Sequence, residues 1–200
     1  MTTLRGTPAE LHAREIDWSR RSVTVCEATS TAVVLGSTQP EPPSAPGDVP
    51  VVRRRSGGGA VWVAPGDPLW VDVVVPRDDP LWEDDVGRAF WWLGEAWAAA
   101  LGDGAEVHRG GLCTTPWSRQ VCFAGLGPGE VTIGGRKAVG IAQRRTREGA
   151  LFQCALHRTW DPAPLVARLG LPPSAVAELA DVVVGVAVDV ERFAQLATSV

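Results

Sequence analysis

Three short segments hold the residue types best suited to chemistry. In the first, Arg53-Arg54-Arg55-Ser56-Gly57-Gly58-Gly59-Ala60-Val61, three cations run into a hydroxyl and three glycines ahead of an apolar stretch. Residues without Cβ let the backbone come close to a ligand and take positive φ. Their amide N–H groups can then converge on a carbonyl oxygen or a phosphate, and the arginines add forked donors beside them. The second segment, Gly134-Gly135-Arg136-Lys137-Ala138-Val139-Gly140-Ile141-Ala142-Gln143-Arg144-Arg145, sets Lys137 at the start of a strand just after a glycine turn. A rigid support of that kind can hold an ammonium in a cleft, and Gly140 permits close approach in mid-strand. The third is Cys122, in Val121-Cys122-Phe123-Ala124-Gly125, fifteen residues before Lys137. A thiolate is a good nucleophile for acyl transfer, and a neighbouring cation favours it. Each of the last two also has a plain structural reading, a solvated hairpin lysine and an apolar core cysteine.

The elements that must position these residues are mostly strands. Arg21–Glu27, Thr31–Gly36 and Val51–Arg54 read as short β-strands, and Gln39–Pro50, with five prolines, reads as a loop. Ala60–Ala64 and Leu69–Val75, separated by Pro65-Gly66-Asp67-Pro68, read as a hairpin. Asp79-Pro80 opens a helix expected to run to about Leu101, with Val86, Ala89, Phe90, Leu93 and Trp97 as its apolar face. Ala105–Arg109, Gly129–Ile133, Gly135–Arg144 and Ala150–Arg158 follow as strands, then helices after Asp161-Pro162, at Pro172-Pro173-Ser174 and over Val190–Thr198. Strands early and in the middle with few, late helices predict an α+β domain with a mixed sheet. Residues 1–200 are expected to form a single domain.

Composition narrows the function classes. A net charge of −4 does not suggest nucleic-acid binding. The polar Met1–Arg20 stretch lacks the apolar core of a signal peptide, and no apolar run reaches membrane-spanning length. A cytoplasmic protein with reduced thiols is expected, with no membrane partner. Cys26, Cys113, Cys122 and Cys154 form no Cys-x-x-Cys pair, and His12, His108 and His157 show no metal-ligand spacing, so no metal site is expected. Nine tryptophans and no tyrosine are unusual; core bulk is the simplest account.

In order and separation, the glycine segment and the later Gly-Arg-Lys-x-x-Gly-x-Ala resemble the lipoate–protein ligase and octanoyltransferase superfamily, which includes the biotin protein ligases. Ala32–Gln39 resembles the family's early strand ending in Gly and Gln, and the resemblance runs from about Ala32 to Leu169. It implies a mixed-sheet domain with helices on the sheet faces and a narrow acyl pocket. The substrate-binding residues it implies are Arg53, Arg54, Ser56, Gly57, Gly58, Gly59, Ala60, Gly135, Arg136, Gly140 and Ala142, with Lys137 at the acyl carbonyl or phosphate. The product in the family is an amide between the acyl group and a lysine of a lipoyl-domain protein.

The chain also departs from the ligases. Val63 and Ala64 stand where many have His-Asp, Gly129-Glu130 where Asn-Asp is usual, and Gln153-Cys154 where many have His-Gly. No C-terminal accessory domain is expected. Cys122-Phe123, Glu130, Lys137 and Gly140-Ile141-Ala142-Gln143-Arg144-Arg145 resemble the cysteine-dependent octanoyltransferases and amidotransferases. That implies Cys122 as covalent acyl carrier, Lys137 stabilising the oxyanion, Glu130 and Asp67 structural, and no cofactor. Cys113 is the rival nucleophile. The alternatives are an ATP- and Mg-dependent lipoate ligase acting through an acyl-adenylate, a non-catalytic acyl-binding homologue, and a biotin ligase. The expected donor is an octanoyl or lipoyl group, carried for example on acyl carrier protein. Arg144, Arg145 and Arg147 are candidates for a patch that meets an acidic lipoyl domain.

Overall fold

The structure is a computed structural model that describes residues 1–44 and 47–199. Among the described residues ten strands form two sheets. The larger contains β1 (Thr2–Gly6), β2 (Ser22–Ala28), β6 (Leu69–Pro76), β7 (Ala105–Val107), β8 (Val131–Ile133), β9 (Arg136–Arg145) and β10 (Gly149–Leu156), in the order β1-β2-β6-β10-β9-β8-β7. The smaller contains β3 (Ala32–Leu35), β4 (Val51–Arg53) and β5 (Val61–Val63), in the order β4-β3-β5. The pairs β1–β2 and β3–β4 are parallel and the other pairings antiparallel, so the expected mixed sheet is present.

Successive strand residues face opposite sides of a sheet. On one side of the large sheet Val71, Val73 and Val75 of β6, Phe152 and Cys154 of β10, and Val139 and Ile141 of β9 form the main core. Two helices cover that side, α2 (Trp91–Leu101) and α5 (Val190–Thr198), with Trp97 stacked on Phe193 at 3.5 Å between ring centres. Asp189 caps α5 through the amides of Glu191 and Arg192. The small sheet buries Val33 and Leu35 against α3 (Ala163–Arg168) and α4 (Ser174–Ala180), and its other face turns Val34, Val61 and Val63 inward.

Two expectations need correction. Val61–Val63 and Leu69–Pro76 do not form a hairpin: only Ala64 and Asp67 bridge across the turn, and the strands then enter different sheets. The helix does not begin at Asp79. Carboxylates of Asp79, Glu83 and Asp85 accept from the amides of Leu81, Asp85, Gly87 and Arg88, local bonds that compete with a helical ladder, and α2 starts only at Trp91. The Met1–Arg20 stretch, for which the sequence offered no element, contributes β1, paired with β2, and a short helix, α1 (Pro8–Ala13), with a capping box between Thr7 and Glu10. Residues 45 and 46 of the expected proline-rich loop lie outside the described residues.

Candidate active site

The glycine segment follows β4 as a bend held from within. Arg54 is 4% exposed, and its guanidinium donates to the carbonyls of Gly57, Gly59 and Val34. A trans peptide sets N–H opposite C=O, so the Gly58 amide points away from that guanidinium. The amides of Gly57, Gly58 and Gly59 have no acceptor among the described residues. Two glycines are required by proximity. A Cβ on Gly36 would lie 1.9 Å from the Gly58 carbonyl oxygen, and one on Gly59 would lie 2.7 Å from the Cys122 nitrogen.

Cys122 opens a single 3-10 turn, Cys122–Ala124, tied to the end of the glycine segment. Its N–H donates to the Ala60 carbonyl at 2.9 Å, while the Ala60 N–H donates to Gln120 at 2.8 Å. The thiol is half-buried, and a Cβ at Gly58 would stand 3.7 Å from its Sγ. Two spaces meet there. An apolar slot of about 470 Å³, its mouth included, runs between the small sheet's Val34, Val61 and Val63 and the uncovered face of β6, β10 and β9. A polar cleft of about 1120 Å³, its open mouth included, is lined by Gly57, Gly58, Gly59, Glu130, Lys137 and Gln143, among others. Cys122 and Ala142 line both.

Lys137 reaches the cleft wall from β9 with a side chain only 3% exposed. Its three N–H donors are all engaged, by the carbonyls of Cys122 at 3.1 Å and Gly125 at 2.9 Å and by Glu130 Oε2 at 2.6 Å. The ammonium therefore clamps the turn that carries the thiol. Glu130 is the hub of this arrangement: Oε2 also accepts from the Gly127 amide at 2.7 Å, and Oε1 accepts from Ile141 on the open edge of β9 at 2.9 Å.

Of the residues singled out in the sequence, Gly57, Gly58, Gly59, Lys137, Cys122, Arg54, Gly140 and Ala142 converge on the two spaces. Arg53, Ser56, Ala60, Gly135 and Arg136 are not among the lining residues. Arg53 holds the carbonyls of Gly36 and Gln39, Ser56 donates to Gln153 Oε1 at 2.7 Å, Ala60 is fully buried, and Gly135 and Arg136 form an exposed turn. Cys26 and Cys154 are buried, and burial pushes both thiols up. Cys113 is exposed, with Sγ 3.8 Å from His108 Nε2, and lines neither space. Arg145 is not a free patch cation, because it donates to the carbonyls of Glu83 and Asp84 and stacks on Trp82. Asp67 accepts from His157 Nδ1 at 2.8 Å behind Phe123.

One cluster escaped sequence reasoning. Asp72, in the apolar run of β6, is 1% exposed, and its carboxylate accepts from Arg14 at 2.5 Å and from the Trp70 indole at 2.7 Å. Burial pushes its carboxyl up, against the pull of Arg14 and of hydrogen bonds from Arg14, Trp70 and Gln153. His12 packs against Trp70, with ring centres 4.4 Å apart and planes tilted by 30°, and lines the slot. Burial first, then the charges of Arg54 and Arg14, lower its pKa to about 3, so it is neutral near pH 7. A lone carboxylate inside an apolar strand was the available signal.

Fold and site together define a mixed-sheet domain in which an apolar slot and a polar cleft meet at a cysteine. The chain belongs to the lipoyl protein ligase A/B catalytic domain family, which it matches over residues 12–198. It is 33% identical over 132 residues to octanoyltransferase LipM of Moorella thermoacetica, a match covering 63% of this chain and 47% of that protein. The chain thus spans about half the length of the curated relative it matches. A crystal structure of lipoate-protein ligase A bound with ATP shares the fold at 19% identity and TM-score 0.62, over 96% of this chain and 75% of that one. So does the bipartite lipoate protein ligase of Thermoplasma acidophilum, described with its E2 lipoyl domain, at 16% identity and TM-score 0.63 over 99% and 80% of the two chains. Among the described residues no helix is long and apolar enough to cross a membrane.

Proposed function

We propose that this chain moves an octanoyl or lipoyl group from a thioester or amide donor onto a lysine of a lipoyl-domain protein, with Cys122 as the covalent carrier. The observation that carries the reading is the position of Cys122, where a slot fit for an alkyl chain opens into a polar cleft. The kinship with an octanoyltransferase supports the activity, and the ligase described with an E2 lipoyl domain supports the acceptor.

In the first step the Cys122 thiolate adds to the donor carbonyl, and the tetrahedral intermediate collapses. The bond from carbon to Cys122 Sγ forms, the bond to the donor heteroatom breaks, and that heteroatom takes up the proton the thiol gave. In the second step the acceptor lysine, as a free amine, attacks the Cys122 thioester. The C–N bond forms, the C–S bond breaks, and the proton lost from nitrogen returns to sulfur. The unpaired amides of the glycine segment are the donors for the oxyanion in both steps. Lys137, its donors already taken, acts by fixing the Cys122–Gly125 turn that carries the thiol.

The test is transfer from an octanoyl thioester to a purified lipoyl domain by wild type, Cys122→Ala and Cys113→Ala. Loss in the first variant and retention in the second are expected. Full transfer by Cys122→Ala refutes covalent carriage. Transfer that appears only with free octanoate and Mg-ATP points instead to adenylation.

A further inference from the structure

The slot has a floor in register across three strands. Gly140 of β9 pairs with Ala155 of β10, which in turn pairs with Trp70 of β6. A hydrogen, a methyl and an indole thus lie in one row running away from the Cys122 turn, and all three residues line the slot. The small pair leaves a trough and the indole stands across its end. Behind the indole, the next partner in the row is Cys26 of β2, and Leu11 of α1 packs against both.

The indole is also fixed. Its N–H is held by Asp72, Asp72 by Arg14, and one face of the ring is covered by His12. A buried carboxylate is costly unless paired. Here its pairing holds the orientation of one ring, which explains a charge inside an otherwise apolar strand.

We infer that Trp70 is the specificity-determining stop that measures acyl length, held in place by Asp72, Arg14 and His12; the inference rests on the acyl-transfer reading above. Gly140 and Trp70 are two strand spacings apart, about 9.6 Å. Carbon–carbon bonds of about 1.5 Å at angles of about 111° advance about 1.25 Å each, so the seven bonds of an octanoyl chain span about 9 Å. An eight-carbon acyl group laid from the Gly140 end of the row therefore reaches the indole. Removing the indole opens one more strand spacing toward Cys26, about 4.8 Å or roughly four more carbons.

The experiment measures covalent acylation of Cys122 by a series of acyl thioesters of increasing length, followed by intact mass, in wild type, Trp70→Ala and Trp70→Phe. Wild type should favour about eight carbons. Trp70→Ala should move the optimum to about twelve, changing the ratio between those lengths by tenfold to about two-hundredfold, since each admitted methylene is worth about fourfold. Trp70→Phe keeps an aromatic in the core and should move the optimum by only one or two carbons, a shift that survives even if the alanine variant folds poorly. Octanoyl labelling of wild type with an unchanged length profile in both variants overturns the ruler and leaves the transferase reading standing. No labelling of wild type at any length overturns the transferase reading, and the ruler with it.

Discussion

Replacing Glu130 with alanine probes the clamp beneath the nucleophile. The ion pair Lys137–Glu130 is almost completely enclosed, with side chains 3% and 6% exposed. Glu130→Ala leaves the ammonium with two carbonyls and no counter-charge, and it strips the amides of Gly127 and Ile141 of their acceptors. Breaking a buried pair from one side costs about 3–5 kcal/mol. For a chain of this size each kcal/mol lowers the melting temperature by about 2–4 °C, so a fall of about 6–20 °C is expected. Much of that loss belongs to the stranded lysine rather than to the missing contact. Lys137→Met in the Glu130→Ala background should therefore restore part of it, with a coupling energy of about 2 kcal/mol in a double-mutant cycle. Thermal melts of wild type, both single variants and the double variant supply the cycle. A Glu130→Ala loss below about 1 kcal/mol, or strictly additive variants, would refute a Lys137 committed to the turn and to Glu130.

Two further perturbations follow from the same geometry. Gly36→Ala sets a methyl 1.9 Å from the Gly58 carbonyl oxygen, backbone that cannot step aside cheaply. Melting should report an overpacking loss of about 1–3 kcal/mol, and acylation of Cys122 should fall further than the melting loss accounts for, because the displaced segment carries the oxyanion amides; unchanged acylation at equal occupancy would contradict this. His12 is kept unprotonated by burial, with a folded-state pKa of about 3 against 6.5 in the open chain. A lowered value means stability that is complete above about pH 6.5 and lost as pH falls toward 3. Between pH 7 and pH 5.5 the loss is about 1 kcal/mol. Asp72, raised by burial, works in the opposite sense, so the quantity to compare is the pH dependence of wild type minus that of His12→Phe, and identical profiles would refute the assignment.

The parts of the site readable from sequence are the local ones. Glycines after an arginine run, a lysine after a glycine turn, and a cysteine fifteen residues upstream are patterns within a few residues of chain, and the structure brings them to one junction. The strands of the large sheet from β8 to β10 were legible because glycine turns separate runs of β-forming residues. What was hidden depends on distance along the chain. Arg14 meets Asp72 across 58 residues, and His12 meets Trp70 across a similar gap, so nothing in the polar Met1–Arg20 stretch announces a wall of the slot. Asp79-Pro80 reads as a helix start, but the side chains of Glu83 and Asp85 turn to nearby amides and the helix begins only at Trp91. The Val61 and Leu69 strands look like hairpin partners because a Pro-Gly turn joins them, while the Leu69 strand, buried on both faces, pairs in the large sheet and the Val61 strand pairs with β3 in the small one. Lys137 was legible as a cleft cation, but the three acceptors that take up its donors come from residues 122, 125 and 130 and emerge only in the folded chain.

The central claim is that the half-buried thiol at the junction of slot and cleft accepts the acyl chain. Incubation with an octanoyl thioester, an acid quench and peptide mapping by mass test it directly. The account predicts one octanoyl adduct per chain, on the peptide carrying Cys122 and absent in Cys122→Ala. An unmodified chain, or an adduct confined to Cys113, contradicts it.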